Sequence, residues 1–123
     1  MATDGKLKLL KRYEPAAYAF AEVVSTTHGR NLFGALTEAL ARENHAFGHL
    51  EEVRRKHPTR AQERAYGEYY AAQGRQFALR QCMFDLVTAA MGVNRNSFKY
   101  MGELDIVKQI VNTELDYCME ARA

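Results

Sequence analysis

The sequence contains one densely basic segment, Arg54-Arg55-Lys56-His57-Pro58-Thr59-Arg60, followed one helical turn later by Arg64. Five of the eleven residues from 54 to 64 are arginine or lysine, and Glu63 is the one acidic residue among them. Guanidinium and ammonium groups are the side chains that bind phosphate and carboxylate groups. The segment therefore indicates a contact site for an anionic partner, and the alternative interpretation is a solvated helix end.

Three tyrosines, Tyr66, Tyr69 and Tyr70, follow this basic segment. Arginine and lysine neutralise phosphates, and the bases of a single strand stack on aromatic rings. Tyrosines at helical spacing also pack between helices, so both interpretations stay open for each ring. We predict a nucleic-acid-binding surface, for RNA or single-stranded DNA, formed by Arg54, Arg55, Lys56, Arg60, Arg64, Tyr66 and Tyr70.

A second group with possible chemistry consists of His45 and His49, with Glu52 one turn further along. Histidines four residues apart share a helix face, and together with a carboxylate they could bind a transition metal. They lie on the side of the helix opposite Leu36 and Leu40, so a metal would need a further ligand from another helix or chain. The sequence predicts no metal site and no cofactor, with these three residues as the weak candidates, and otherwise a solvated or protein-contacting face.

The pair Arg42 and His49, separated by six residues, resembles the arginine–histidine motif of the HEPN family of small all-helical ribonucleases. The resemblance covers eight residues and implies metal-independent RNA cleavage by Arg42 and His49 at a dimer interface. In that family the motif usually lies later in the chain. The nucleophile motif G-x-S-x-G and the glycine-rich phosphate loops are missing from the sequence, so we expect a protein that is not an enzyme.

The elements that must position these residues are predicted to be helices, because no sustained alternation of apolar and polar residues occurs. We predict a single all-α domain, residues 1–123, built as an antiparallel bundle of about four main helices. These are expected at residues 15–27, 32–56, 60–91 and 98–120, with a short basic N-terminal helix before Pro15. The boundaries come from Pro15, from glycines expected just after helix ends and from expected N-caps. The glycines are Gly29 and Gly92, and the caps are Asn31, Thr59 and Ser97.

Apolar spacing predicts which helix faces are buried. At about 100° per residue, Leu36, Leu40, Phe47 and Leu50 share one sector of the second helix. The last helix has an apolar seam formed by Leu104, Val107, Val111, Leu115 and Cys118. The second half of the third helix, from Phe77 to Met91, is expected to be the most buried part. Cys82 and Cys118 are expected to be reduced thiols in the core.

The 123-residue chain has a formal net charge of +2, which is too small to indicate nucleic-acid binding by itself. The charge is unevenly distributed, because residues 6–12 and 54–64 are basic whereas the last predicted helix is acidic. No apolar stretch approaches the roughly 20 residues that a membrane span needs, and no apolar leader follows Met1. We therefore expect a cytoplasmic protein with no membrane partner.

Two functions from different classes fit these features. The first is a non-catalytic small helical subunit of a nucleoprotein assembly that contacts the nucleic-acid backbone. In size, helicity and basic patches the chain loosely resembles the small subunits of CRISPR effector complexes, a likeness that transfers no residue role. The second is a protein-binding module, such as a phage- or plasmid-encoded adaptor or inhibitor. A HEPN-like ribonuclease or a metal-binding bundle comes third. The expected partners are nucleic acid and other protein subunits, and a homo-oligomer stays open.

Overall fold

The computed structural model describes residues 2–56, 59–93, 96 and 100–122, and side chains from Tyr13 to Ala121 within those ranges. Four α-helices occur in this part of the chain: α1 Ala2–Ser25, α2 Thr27–Lys56, α3 Thr59–Ala90 and α4 Tyr100–Arg122. The described residues contain no strand, so the predicted all-α bundle is confirmed. None of the helices in these ranges is long and apolar enough to cross a membrane.

The main core lies where all four helices meet. Each helix contributes to its buried apolar residues, which are Ala16, Ala19, Phe20, Val23, Leu36, Met83, Phe84, Val87, Ile106, Val107, Val111 and Leu115. The ring of Phe20 in α1 meets Phe33 in α2 edge-on, with the ring centroids 5.4 Å apart. The predicted seam of α4 is confirmed at its centre, because Val107, Val111 and Leu115 are buried. The main core therefore joins all four helices into one bundle.

Consecutive helices of the bundle run antiparallel. Lys108 of α4 lies over the ring of Phe84 of α3, 5.9 Å from its centroid. One turn later in α4, Asn112 accepts a hydrogen bond from Arg80, which lies one turn earlier in α3. The contacts thus move in opposite directions along the two helices, as expected for neighbours joined by a short connection.

The expected helix boundary at Pro15 is wrong. α1 runs from Ala2 to Ser25 with Pro15 inside it, so the structure has no separate short N-terminal helix. Proline inside a helix removes one backbone hydrogen bond, and this normally favours a break. Here Ala16, next to the proline, and Ala19, one turn after it, are buried in the main core. Burial of that face offsets the lost bond, and the helix continues.

The turn between α1 and α2 also differs from the prediction. Thr26 separates the helices, and its hydroxyl Oγ1 accepts a hydrogen bond from the Gly29 amide at 3.0 Å, as an N-cap does. Gly29 therefore lies inside α2 rather than after α1, and Asn31 is not the cap. A β-carbon at Gly29 would lie 1.9 Å from the carbonyl oxygen of Val23. Glycine is required here because the two helices approach closely, not because the residue is left-handed.

The end of α3 agrees with the prediction. Gly92 has a φ of 74°, in the left-handed region. Its amide donates to the carbonyl of Ala89 at 3.0 Å, and the amide of Val93 donates to the carbonyl of Thr88 at 3.2 Å. This pair of bonds is the Schellman motif. The predicted cap Ser97 and the predicted start of the last helix at residue 98 lie outside the described residues.

α2 and α3 extend past the main core as a two-helix hairpin, defined here as residues 44–56 and 59–77. The main core reaches Leu40 in α2 and Leu79 in α3. The hairpin has a smaller core of its own, in which every described member belongs to α2 or α3: Leu50, Val53 and Ala65, with Ala61, Tyr66 and Tyr69 packed against them. Each helix of the hairpin thus has one main neighbour instead of three.

Several burial predictions are wrong, two of them in the hairpin, where one neighbouring helix covers each face, and two elsewhere. Phe47 was expected to face the core, but it is 48% exposed. Phe77 was expected to lie in the most buried stretch, but it is 60% exposed. Cys82 is exposed rather than in the core, Cys118 is half-buried, and both thiols are free. Apolar character therefore predicted burial only where a neighbouring helix covers that face.

Candidate functional site

The predicted basic surface lies at the tip of the hairpin, where α2 ends and α3 begins. Arg54, Arg55 and Lys56 form the last turn of α2 and are exposed. Arg60 and Arg64 lie in the first two turns of α3 and are exposed as well. His57 and Pro58 of the predicted segment lie outside the described residues. The structure thus places the five predicted cations at one end of the hairpin.

Two of these cations have acidic neighbours on their own helix. Arg54 Nη1 lies 3.7 Å from Glu51 Oε1, and Lys56 Nζ lies 3.8 Å from Glu52 Oε1. The four side chains are 42–65% exposed, so each pair contributes only about 0.3–0.5 kcal/mol. Both pairs involve acids that precede residue 54. They reduce the positive charge on the α2 side of the tip.

The remaining cations, Arg55, Arg60 and Arg64, form no ion pair with any residue in the described ranges. The negative end of the α2 dipole stabilises Arg55. The positive end of the α3 dipole does the opposite for Arg60, and its effect fades within the first turn before Arg64. Interactions with the described residues therefore do not account for the cations at the start of α3.

Arg60 and Arg64 line a groove between the two helices of the hairpin, together with His49 of α2. The groove is open to solvent and has a volume of about 910 Å³. Its other lining residues are Val53, Ala61, Glu63 and Ala65. Two arginines and a histidine thus lie beside a small apolar floor. The open groove can contact the surface of a partner but cannot enclose a ligand.

Tyr66 and Tyr70 lie on a different side of α3 from this groove. Their rings are nearly parallel, with centroids 6.1 Å apart and an interplanar angle of 18°. At about 100° per residue, Tyr66 and Tyr70 lie about 160° and 120° around the helix from Arg64. The structure does not bring the tyrosines into the groove with the arginines. Their assignment to the nucleic-acid surface stays a prediction.

The tyrosines belong instead to an aromatic face, defined here as Phe47, Tyr66, Tyr69 and Tyr70. The ring of Phe47 lies 5.6 Å from that of Tyr69, which in turn lies 5.6 Å from Tyr70. Tyr66 and Tyr69 also pack against the hairpin core, whereas Tyr70 is 60% exposed. The face combines rings that hold the hairpin together with rings that a partner can reach.

The weak metal candidates His45, His49 and Glu52 are all exposed on α2. The described residues contain no group of three or more histidine, cysteine or acidic side chains that could hold a metal ion. Arg42, the other half of the HEPN-like pair, is exposed two turns before His49 and does not line the groove. His49 is thus placed beside Arg60 and Arg64 rather than beside Arg42.

Sequence reasoning missed the connection between His49 and the two arginines. Residues at equal distances from the turn of an antiparallel hairpin lie side by side, and His49 and Arg64 are at similar distances from residues 57–58. Aligning the second and third predicted helices as an antiparallel pair around residues 57–58 would have placed His49 next to the arginines.

No protein-family model matches this chain, and no match is found among curated proteins or solved structures.

Proposed function

We propose that this protein is a non-catalytic helical subunit of a cytoplasmic nucleoprotein assembly, and that the hairpin tip contacts the phosphate backbone of RNA or single-stranded DNA. The observation that supports this most directly is the groove lined by Arg60, Arg64 and His49. Its two arginines are exposed and form no ion pair with described residues, and Arg60 lies in the first turn of a helix, where a cation is unfavourable. A polyanion supplies the missing negative charge.

The proposed contact is with the phosphate backbone of the nucleic acid rather than with its bases. Arg60 and Arg64 are one helical turn apart, so their Cβ atoms are about 5–6 Å from each other. Arg55 extends the positive surface around the tip. Glu63 also lines the groove and repels phosphate, so the strand is expected to lie on the arginine side. Backbone contacts of this kind give little sequence preference.

A second candidate function, a protein-binding module, is favoured by the aromatic face. Tyr70 and the neighbouring Phe77 are each 60% exposed, and Phe47 is 48% exposed. Aromatic side chains are enriched at protein interfaces and often supply much of the binding energy. In an assembly subunit the same face would contact a neighbouring protein while the groove contacts nucleic acid.

Titrating labelled single-stranded RNA and DNA at increasing salt, with fluorescence anisotropy as the readout, tests the groove. The variant is Arg60→Gln with Arg64→Gln. The control is Arg42→Gln with Arg75→Gln, which removes the same charge from exposed arginines outside the groove. Each lost phosphate contact should reduce the slope of log affinity against log salt by about 0.7. We expect the groove variant to bind at least tenfold more weakly at low salt and the control to bind within about threefold of wild type.

Two results would contradict the nucleic-acid proposal. One is that the wild-type protein binds neither oligonucleotide at low salt, which leaves the protein-binding function. The other is an equal loss for the control variant, because the affinity would then follow total charge rather than the groove. Tyr70→Ala tests the tyrosine assignment, since a loss of about 1–3 kcal/mol would place a base on the aromatic face.

A further inference from the structure

A smaller pocket, separate from the hairpin groove, lies where α2, α3 and α4 meet. Its volume is about 240 Å³, and its polar lining consists of Asn44, Arg80, Asn112 and Asp116. A volume of this size holds on the order of eight waters at about 30 Å³ each, which corresponds to a ligand of roughly ten non-hydrogen atoms. It is therefore suited to a metabolite-sized molecule and is too small for a drug-sized one.

Arg80 is the residue that gives the pocket its chemistry. Its guanidinium donates from Nη1 to the side-chain oxygen of Asn112 at 3.2 Å, in a partly buried bond. Its Nε is buried and has no hydrogen-bond partner among the described residues. Arg80 also forms no ion pair in that part of the chain. A half-buried guanidinium with only a neutral acceptor is costly, and a carboxylate, which can accept two parallel N–H bonds, is its best complement.

The opposite charge stands on another wall of the same pocket. Asp116 follows Asn112 by one turn on α4 and lines the pocket without pairing with Arg80. Apolar side chains, Leu40, Leu115 and Met119, complete the lining. The lining of the pocket thus offers a site for a negative group, a site for a positive group and an apolar surface.

We propose that this pocket binds a small zwitterion of the α-amino acid class with an apolar side chain. The carboxylate pairs with Arg80, the ammonium group pairs with Asp116, and the side chain lies against Leu115 and its apolar neighbours. This inference goes beyond the nucleic-acid proposal and does not depend on it, because the pocket shares no residue with the hairpin groove.

Isothermal titration calorimetry of the full chain with L-leucine tests the proposal. Two probes each remove one charged group: 4-methylpentanoate lacks the ammonium group, and 3-methylbutylamine lacks the carboxylate. We expect leucine to bind, and the amine to bind at least tenfold more weakly because it leaves Arg80 without its anion. The acid should fall between the two, since it retains the contact with Arg80.

Variants assign the binding to this pocket. Arg80→Met keeps the apolar stem and should weaken leucine binding at least tenfold, whereas Arg75→Met, exposed on the same helix, should leave it unchanged. Asp116→Asn should abolish the preference for leucine over 4-methylpentanoate. Arg80→Lys keeps a cation in the pocket and is the conservative control for Arg80→Met. Thermal melting monitored by circular dichroism shows directly whether either variant has a folding defect.

Three results would overturn the proposal. The first is that leucine gives no binding heat at concentrations up to about 10 mM, a limit that corresponds to a very weak complex. The second is equal leucine affinity in wild type and Arg80→Met, when both are folded. The third is that the amine binds as tightly as leucine, because the carboxylate would then have no partner in the site.

Discussion

The helices α2 and α3 contribute to both the main core and the hairpin, yet the two regions bury side chains to very different degrees. Among the described side chains, twelve buried residues from four helices form the main core, whereas three from two helices form the hairpin core. A helix face is buried only as far as neighbouring helices cover it. A helix of the bundle has several neighbours that cover its inner face, whereas a helix of the hairpin has one.

The same difference separates structure from candidate function. The main core holds fully buried apolar residues such as Met83, Val87 and Val107. The hairpin carries the basic tip and three exposed aromatic rings, Phe47, Tyr70 and Phe77, whereas Tyr18 and Tyr117 are exposed on the bundle. Regions with few buried apolar contacts open locally at lower free energy than the rest of a protein. The hairpin is thus expected to be the more adaptable region and the bundle its rigid support.

The largest effect is expected in the main core, from Met83→Ala. Met83 is fully buried, so its truncation leaves a cavity that four packed helices cannot close, and we expect a loss of about 4 kcal/mol in the free energy of unfolding. The matched hairpin variant is Leu50→Ala, expected to cost about 2 kcal/mol because two helices can collapse around it. Urea denaturation of both variants measures the difference. Equal losses would mean that the two cores are packed alike.

A second test compares two glycines of α2, one in the bundle and one in the hairpin. Gly29→Ala forces a methyl group onto the Val23 carbonyl and should cost about 2–3 kcal/mol. Gly48→Ala has open space around it and should stabilise the protein by about 0.5–1 kcal/mol through helix propensity. Thermal unfolding gives both values. A stable Gly29→Ala protein would contradict the close approach of α1 and α2.

A third test addresses the turn that begins α2. Thr26→Ala removes the oxygen that accepts from the Gly29 amide and should cost about 1 kcal/mol. Thr26→Ser keeps the hydroxyl and serves as the control, with an expected change of less than about 0.5 kcal/mol. Chemical denaturation of the two proteins measures the contribution. If both variants lose similar stability, the contribution of Thr26 comes from its methyl group instead of its hydroxyl.

The smallest effect is expected at the hairpin tip, from Glu51→Gln. The exposed pair with Arg54 is worth less than about 0.5 kcal/mol, so stability should barely change. Affinity for single-stranded nucleic acid should rise slightly at low salt, because a negative charge beside the tip is removed. Unfolding and anisotropy measurements on one preparation report both. A large loss of stability would show that the tip is held together by its charges.

Parts of the fold that depend on local chemistry could be predicted. The left-handed conformation of Gly92 ends α3 as expected, because only glycine adopts it without strain. The seam of Val107, Val111 and Leu115 is buried as its spacing indicated. Pro15 and Gly29 misled the prediction, because each local signal has two meanings. Proline can be carried inside a helix, and glycine can serve close contact as well as a helix end.

The candidate site was predictable in part for the same reason. Charged side chains at a helix junction stay in water, so the exposure of Arg60 and Arg64 followed from their type and position. Their separation from Tyr66 and Tyr70 required knowing which side of α3 faces α2. His49 joined the arginines only through the pairing of the two helices.

The amino-acid sequence alone determined that this chain is helical, where α3 ends and where its cations concentrate. Those properties depend on each residue and its immediate neighbours. The tertiary structure decided which apolar faces are covered, which rings stay exposed and which distant residues share a pocket. These depend on the number and direction of neighbouring helices, so Phe47 and Met83, both apolar and both helical, have opposite environments.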